Sequence, residues 1–547
     1  MSAWDDLANL PARTGEDVDD VAMAYEGDGR LPVIYVRGFA GSKVDEIVDD
    51  PFYGFSQGSV DVRVDELGEP RFHQFESPML RLMSDERYGL RVQGDQRAYL
   101  TAQPDGGIDA ATIWVHRFYD VAATTLARHP EDFSIERAAE DLFKLIKLVL
   151  AKTGAPRVFL VAHSMGGLIC RSLVQRVIPD DPIAGGTLDA GTSYVERIFT
   201  YATPHGGIEF AIGGGTLEKV RDATGVQGAD IFGPDRMYEY LTPAVPGAPG
   251  RAAFDPRVMP ADGFPVDRMF CLVGTNAEDY PVAHGWSSRV VGARSDGLVQ
   301  IDNAYVEGAH RALVHRSHSG RRGIVNSEEG YQNLRRFLFG DLLVHAELTG
   351  VDVIGDQDDD LVWQLETTLA IRGLPVLVHE QTAGHHCPIQ IERRVVTDST
   401  DTPLPLLTTF LSSTILRPED PETGRPLETL RHALKLRLLS VRTRDGRFFF
   451  RDHLEQTEDW QDVLVVDIVP AAVAGELPDA WATWNSTIPR AVRSWVARAE
   501  DKLEDLAPEV PDFWRGSIRL PAVVRPLLGE RAAVQVTVTP RPTITAS

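Results

Sequence analysis

Cysteine is scarce in this chain of 547 residues: Cys170, Cys271 and Cys387 are scattered and odd in number. That excludes a disulfide framework, and Cys170 and Cys271 lie in apolar runs where a buried free thiol is expected. No uninterrupted apolar run reaches the roughly 18 residues that a bilayer-spanning helix needs. The opening Met-Ser-Ala-Trp-Asp-Asp has neither a basic region nor an apolar core, so it does not read as a secretory signal and the expected location is cytoplasmic. Basic residues are in deficit, 55 against 80 acidic, for a formal charge of -25. This disfavours nucleic acid and anionic membrane surfaces as partners, while peripheral lipid contact through apolar side chains stays open. Metal-ligand patterns are lacking as well. His385-His386-Cys387 is the one cluster of ligand type, and its spacing matches no zinc pattern. What remains is an ordinary globular composition, 43% apolar and 25% charged, in a chain long enough for roughly two to four domains.

The stretch that organises the chain runs from Arg157 to Val177. Val158 to Val161 is too brief an apolar run for a helix, and it reads as a strand buried on both faces. Leu168, Leu173, Val174 and Val177 then recur at helical spacing until Pro179. Strand and helix meet at Ala162-His163-Ser164-Met165-Gly166. A turn this sharp strains the backbone at Ser164, and small residues two before and two after it let strand and helix approach. The serine hydroxyl is left exposed, with the first amides of the helix directed toward it. Upstream, the apolar strand 31–36 runs into Arg37-Gly38-Phe39-Ala40-Gly41-Ser42, a glycine-rich turn whose amides can face a pocket; a plain tight turn is the alternative.

The elbow segment resembles the nucleophile elbow of the α/β-hydrolases, and among them the bacterial lipases in which alanine replaces the first elbow glycine, the place Ala162 holds here. The turn at 37–42 resembles their His-Gly-x-x-Gly segment, with Arg37 where histidine is usual. The resemblance implies a mostly parallel central sheet with helices on both faces, a catalytic serine at Ser164, and an oxyanion hole formed by the amides of Phe39 and Met165. A nucleophilic serine needs a base, and the base needs an acid to fix its tautomer. In this fold the order is serine, acid, histidine. Asp296, in Ser-Asp-Gly-Leu-Val, and His318 satisfy it and look like the acid and base segments of bacterial lipases. Glu278 and Asp279 compete as the acid, and His315, with His310 and His284 nearby, competes as the base. His318 is favoured because it stands in a turn-forming loop, whereas His315 ends the strand-like 311–314. His163 and His205 are pocket candidates, and His116 reads as a strand-end residue.

Around these motifs, residues 1–30 read as a polar surface arm and 31–340 as the hydrolase unit. Stretches 43–110 and 208–263 read as insertions, the first either a lid or a decoration with its own small core, the second a further lid candidate with a short helical piece near Tyr238 to Leu241. A helix is expected over 134–152, with Asp132 or Ser134 as its cap and Gly154 as a stop. A closing helix carries Tyr331, Leu334, Phe337 and Leu338 behind a capping box at Asn326 and Glu329. From 341 to 547 the pattern becomes alternating, with strands at 342–353, 361–371, 375–380, 388–396, 433–443, 447–451, 462–469, 514–520 and 532–539, a turn at Asp445-Gly446, and a helix around Ala491 to Leu506. This reads as a C-terminal β-sandwich, similar in kind to those that position lipases on a lipid surface, with a structural or oligomerising domain as the alternative.

The function these residues point to is a serine hydrolase of carboxylic esters, of lipase or esterase type, working through an acyl-enzyme with a small-molecule or lipid ester as substrate. Neither metal nor cofactor is needed. A phospholipase or acyltransferase would use the same triad, and a binding protein on a hydrolase scaffold is the rival of another class.

Overall fold

The computed structural model describes residues 30–38, 55–64, 69–91, 96–116, 134–208, 231–277, 294–320, 322–352, 361–391, 403–413, 427–444, 453–471, 477–488, 495–510 and 513–541. The expected arm at 1–30 lies almost wholly outside them. In the first half, strands β1 (Val33–Val36), β2 (Ser59–Val64), β3 (Pro70–Phe75), β4 (Gly89–Leu90), β5 (Thr112–His116), β6 (Val158–His163), β7 (Val195–Tyr201), β8 (Met269–Gly274) and β9 (His310–Val314) are present. Seven of them form one sheet in the order β4-β5-β1-β6-β7-β8-β9, and every neighbouring pair is parallel. The chain leaves β1 toward one edge and returns through β6 to the other. The β1/β6 crevice is therefore the topological switch point, where open parallel sheets bind ligands at their carboxyl ends.

Near-continuous apolar strands are what a sheet covered on both faces requires. Alternate residues feed two cores. Ile34, Val36, Leu160 and Ala162 pack with the helix Ile135–Thr153 and the elbow helix Met165–Ser172. Val33, Tyr35, Phe159 and Val161 pack with the closing helix Glu328–Phe339. The helix Ile135–Thr153 starts where the Ser134 side chain accepts from the Arg137 amide and stops at Gly154, which has φ 70°. The closing helix is capped one residue later than expected: the Ser327 side chain, not that of Asn326, accepts from the Gly330 amide.

The stretch expected as an insertion at 43–110 is in part core. It supplies strand β4, the β2/β3 hairpin and two helices, Pro78–Glu86 and Gln96–Ala102. Phe55, Phe75, Met79, Leu82 and Tyr88 are buried in the same core as the sheet. Within 208–263, the helix Pro234–Leu241 buries Met237, Tyr240 and Leu241 in the core shared with the elbow helix.

The second half is a sandwich of two antiparallel sheets. Strands β10 (Leu342–Thr349), β11 (Leu361–Ile371), β12 (Leu377–Gln381), β13 (Ile389–Ile391), β14 (Leu404–Leu411), β15 (Leu430–Arg444), β16 (His453–Val469), β17 (Asp479–Trp484), β18 (Trp514–Arg519) and β19 (Ala533–Pro540) follow in chain order. One sheet runs β14-β10-β19-β18, the other β12-β11-β15-β16-β17 with β13 also on β11. Val344, Leu348 and Val536 of the first share a buried core with Leu365, Leu436 and Val466 of the second. The expected strand 447–451 and turn Asp445-Gly446 lie outside the described residues. The helix expected around 491–506 is absent from its described part, where 495–506 holds only one tight turn, Ala499–Asp501. Among the described residues no helix is long and apolar enough to cross a membrane.

The sandwich covers the free edge of β9. The Leu313 amide donates to His379 Nδ1 at 3.3 Å, and Asn333 of the closing helix donates to the Val378 carbonyl at 2.8 Å. Phe410 of β14 packs among Phe270, His310 and Phe337.

Candidate active site

Ser164 stands between β6 and the elbow helix with φ 54° and ψ -130°, the strained geometry the sequence predicts. Three hydrogen bonds hold it there: its amide donates to the Tyr201 carbonyl at 2.9 Å, and its own carbonyl accepts from the Thr203 hydroxyl at 2.8 Å and the Gly167 amide at 3.0 Å. The helix can start so close to β1 only because residue 166 has no side chain; a β-carbon there would lie 2.3 Å from the Val36 carbonyl oxygen. Gly38 also approaches closely just past the end of β1, where a β-carbon would sit 2.9 Å from that of Ser164. Met165 opens the helix, so its amide belongs to the orphan donors of a helix N-terminus. Phe39, the other expected oxyanion donor, lies outside the described residues.

His318 is carried by the loop after β9 and Asp296 by the loop after β8. His318 Nε2 is 3.0 Å from Ser164 Oγ, and its Nδ1 is 2.9 Å from Asp296 Oδ2. The second carboxylate oxygen accepts from the amides of Leu298 (3.0 Å) and Val299 (2.8 Å), which fixes the plane of the acid. With Oδ2 as its partner, His318 Nδ1 carries the hydrogen and Nε2 is left to accept from the serine hydroxyl. The two loops are also joined directly, the His318 amide donating to the Asp296 carbonyl at 2.9 Å. Asp296 is buried, His318 nearly so, and Ser164 partly exposed. That gradient suits an internal acid serving an accessible nucleophile.

Of the other candidate histidines that are described, His163 adjoins His318 and the rest make contacts of their own. His163 is buried beside the triad, its ring centroid 5.0 Å from that of His318, and its Nε2 donates to the His318 carbonyl at 2.9 Å. Burial above all pushes its pKa down to about 3, so the ring is neutral where it meets the His318 loop. His205 is wholly buried: its Nε2 meets the Thr200 hydroxyl at 3.1 Å, and its carbonyl accepts from Arg171. These contacts tie it to the core behind the elbow helix. His315 stacks on His385 of the sandwich, centroids 3.7 Å apart, with Nδ1 3.4 Å from the Thr275 hydroxyl. His310 is buried against Phe410 and His345. His116 ends β5 and meets the Ala138 carbonyl. Glu278, Asp279 and His284 lie outside the described residues. Among the described residues no group of three or more His, Cys, Asp or Glu could hold a metal ion.

Sequence reasoning missed the buried pair Arg316–Glu329. The guanidinium meets the carboxylate at 3.0 to 3.2 Å and ties the base loop to the closing helix. Nothing in the local pattern marks it, since loop and helix are joined by a tertiary contact alone.

No family model matches the chain. Similar solved structures include a gene product of Listeria innocua, 13% identical, aligned over 56% of this chain and 94% of its own length with a TM-score of 0.24. A Lactobacillus plantarum protein described as a cell surface hydrolase is 13% identical over 56% of this chain and 91% of its own, TM-score 0.25. Aspergillus fumigatus lipase B is 9% identical over 56% and 47%, TM-score 0.20. At such low scores the fold rests on this chain's own strand order, on the strained serine between β6 and its helix, and on the loops after β8 and β9; by these features it is an α/β-hydrolase fold followed by a β-sandwich.

Proposed function

We propose that the chain is a serine hydrolase of carboxylic esters. The observation that carries this reading is the continuous line of contacts from Asp296 through His318 to a serine held at positive φ, at 2.9 and 3.0 Å. In the proposed reaction Ser164 Oγ attacks the ester carbonyl carbon while His318 Nε2 takes its proton. The oxyanion faces the Met165 amide and, by the family resemblance, that of Phe39. The tetrahedral adduct collapses as His318 returns the proton to the departing alcohol, leaving an acyl group on Ser164. Water then attacks the acyl carbon, with His318 again the base, releasing the acid and restoring the serine. Asp296 holds the imidazole in the required tautomer and stabilises its charged form, without itself taking the proton.

The test is a p-nitrophenyl ester assay with fluorophosphonate labelling. The wild-type protein is expected to be labelled at Ser164 and to hydrolyse the short ester. Ser164→Ala is expected to lose label and about 10³-fold or more of its turnover while keeping its fold. Full activity in that variant would refute the assignment. A series of esters of graded chain length then reads the acyl preference.

A further inference from the structure

The His385-His386-Cys387 cluster, which fits no metal pattern, lies where the sandwich meets the acid and base loops. It is part of a stapled turn after β12. The amides of His385 and Cys387 donate to the Thr382 carbonyl at 3.3 and 3.0 Å, that of His386 donates to the Ala383 carbonyl at 3.0 Å, and the Ala383 amide donates to Glu366 at 2.9 Å. His386 takes φ 57°, and the turn presents its neighbours to the catalytic half. Cys387 is 4% exposed and shares one apolar cluster with Val273 at the end of β8, Val299, Ile301 and Ala304 of the acid loop, and Leu313 of β9. Val299 is the residue whose amide holds Asp296 Oδ1 at 2.8 Å. His385 lies flat on His315, with 10° between the rings, three residues before the base. Close packing transmits small displacements, because interiors have few voids to absorb them.

We propose that this turn of the β-sandwich is a working part of the catalytic centre, with Cys387 and His385 as positioning residues that hold the Asp296 and His318 loops in register. The proposal rests on the triad reading. It gives the second domain a task in the reaction distinct from contact with a lipid surface. The order of transmission is from Cys387 to the Val299 segment, from the Val299 amide to the Asp296 carboxylate, and from there to His318 Nδ1.

The experiment is a double-mutant cycle on the full chain, using Cys387→Ala and Asp296→Asn, read as kcat and KM on a short p-nitrophenyl ester. Cys387→Ala is expected to lower kcat roughly tenfold with KM unchanged, and to change kcat less than twofold when Asp296→Asn is already present. A loss of the same factor in both backgrounds, or no loss in a folded Cys387→Ala protein, overturns the proposal. Should Cys387→Ala fail to fold, His385→Ala and His385→Phe carry the test. His385→Phe keeps a flat ring on His315 and is expected to retain wild-type kcat, whereas His385→Ala loses it; equal activity of the two overturns the role of the stack. Fluorophosphonate labelling of wild-type Ser164 separates the two levels. Absence of label sinks the triad reading itself, while labelling with an additive cycle sinks only the positioning role.

Discussion

Gly274, the last residue of β8, faces Asp296 so closely that a β-carbon on it would lie 2.8 Å from the Asp296 Cβ and 2.6 Å from the Arg316 carbonyl oxygen. The acid loop and the approach to the base loop thus both rest on one bare backbone position. Gly274→Ala must push one of them away, and overpacking of this kind typically costs about 1–3 kcal/mol. Because one of the two crowded groups is the Asp296 side chain itself, the variant is expected to lose activity out of proportion to stability, with kcat/KM down about 10²-fold. Ester kinetics beside a urea titration measure both. Unchanged kcat/KM in a destabilised protein would mean that the loops tolerate the shift.

The carboxylate of Asp296 accepts from two loop amides and faces His318 Nδ1, so Asp296→Asn keeps the shape and removes the charge that selects the tautomer. The expected loss in kcat is of the order of 10³- to 10⁴-fold. Combining it with Ser164→Ala is expected to cost no more than Ser164→Ala alone, since groups acting as a unit are not additive. Multiplying losses in the double variant would break the proposed triad into independent contributors.

The residues of the proposed site are legible in the sequence where the constraint on them is local. The turn at Ser164 needs small neighbours within a few residues, and helix Ile135–Thr153 announces its ends through Ser134 and Gly154. His318 could be favoured over His315 by asking which stands in a loop. What was lost depends on contacts distant in sequence. Strand Leu404–Leu411 shows no alternation in the sequence, because its outward side, including Phe410, is buried against the α/β half. Strand Asp479–Trp484 turns inward Ala480, Ala482 and Trp484, and with two of the three this small the apolar signal over six residues is weak. The helix expected near 491–506 gives way to tertiary contacts: Arg431 lies 4.8 Å from the Trp495 ring and donates to its carbonyl while pairing with buried Asp467. His385-His386-Cys387 was visible as a cluster, but its use at a domain junction was not.

Arg316 and Glu329 form a buried pair, side chains about a tenth exposed, between the base loop and the closing helix. Glu329→Ala takes this counter-charge from the guanidinium, and breaking a buried pair at one end typically costs about 3–5 kcal/mol. Replacing both, as Arg316→Met with Glu329→Leu, is expected to cost less than the single change, because no charge is left behind. Chemical denaturation of the two variants measures this. A double variant less stable than the single one would show that the pair contributes net attraction beyond its desolvation cost.

Several buried histidines make the folded chain sensitive to acid. Burial is the largest cause in each case: it pushes His163 and His310 down to about 3 and His116, His379 and His432 down to about 4. Their ordinary value is about 6.5, so each is depressed in the folded chain and the unfolded chain binds the proton first. The stability they contribute is complete above pH 6.5 or so and is lost as pH falls toward their folded values. At pH 5 each fully buried ring costs up to about 2 kcal/mol relative to pH 7. His379 is the sharpest case, since its Nδ1 must stay unprotonated to accept from the Leu313 amide at the domain junction. Tm measured from pH 7.5 to 5 is expected to fall steadily, and His379→Gln, whose amide oxygen can accept without titrating, is expected to lessen the slope. A Tm that stays level down to pH 5 would place these imidazoles in contact with solvent or with charges that keep them protonated.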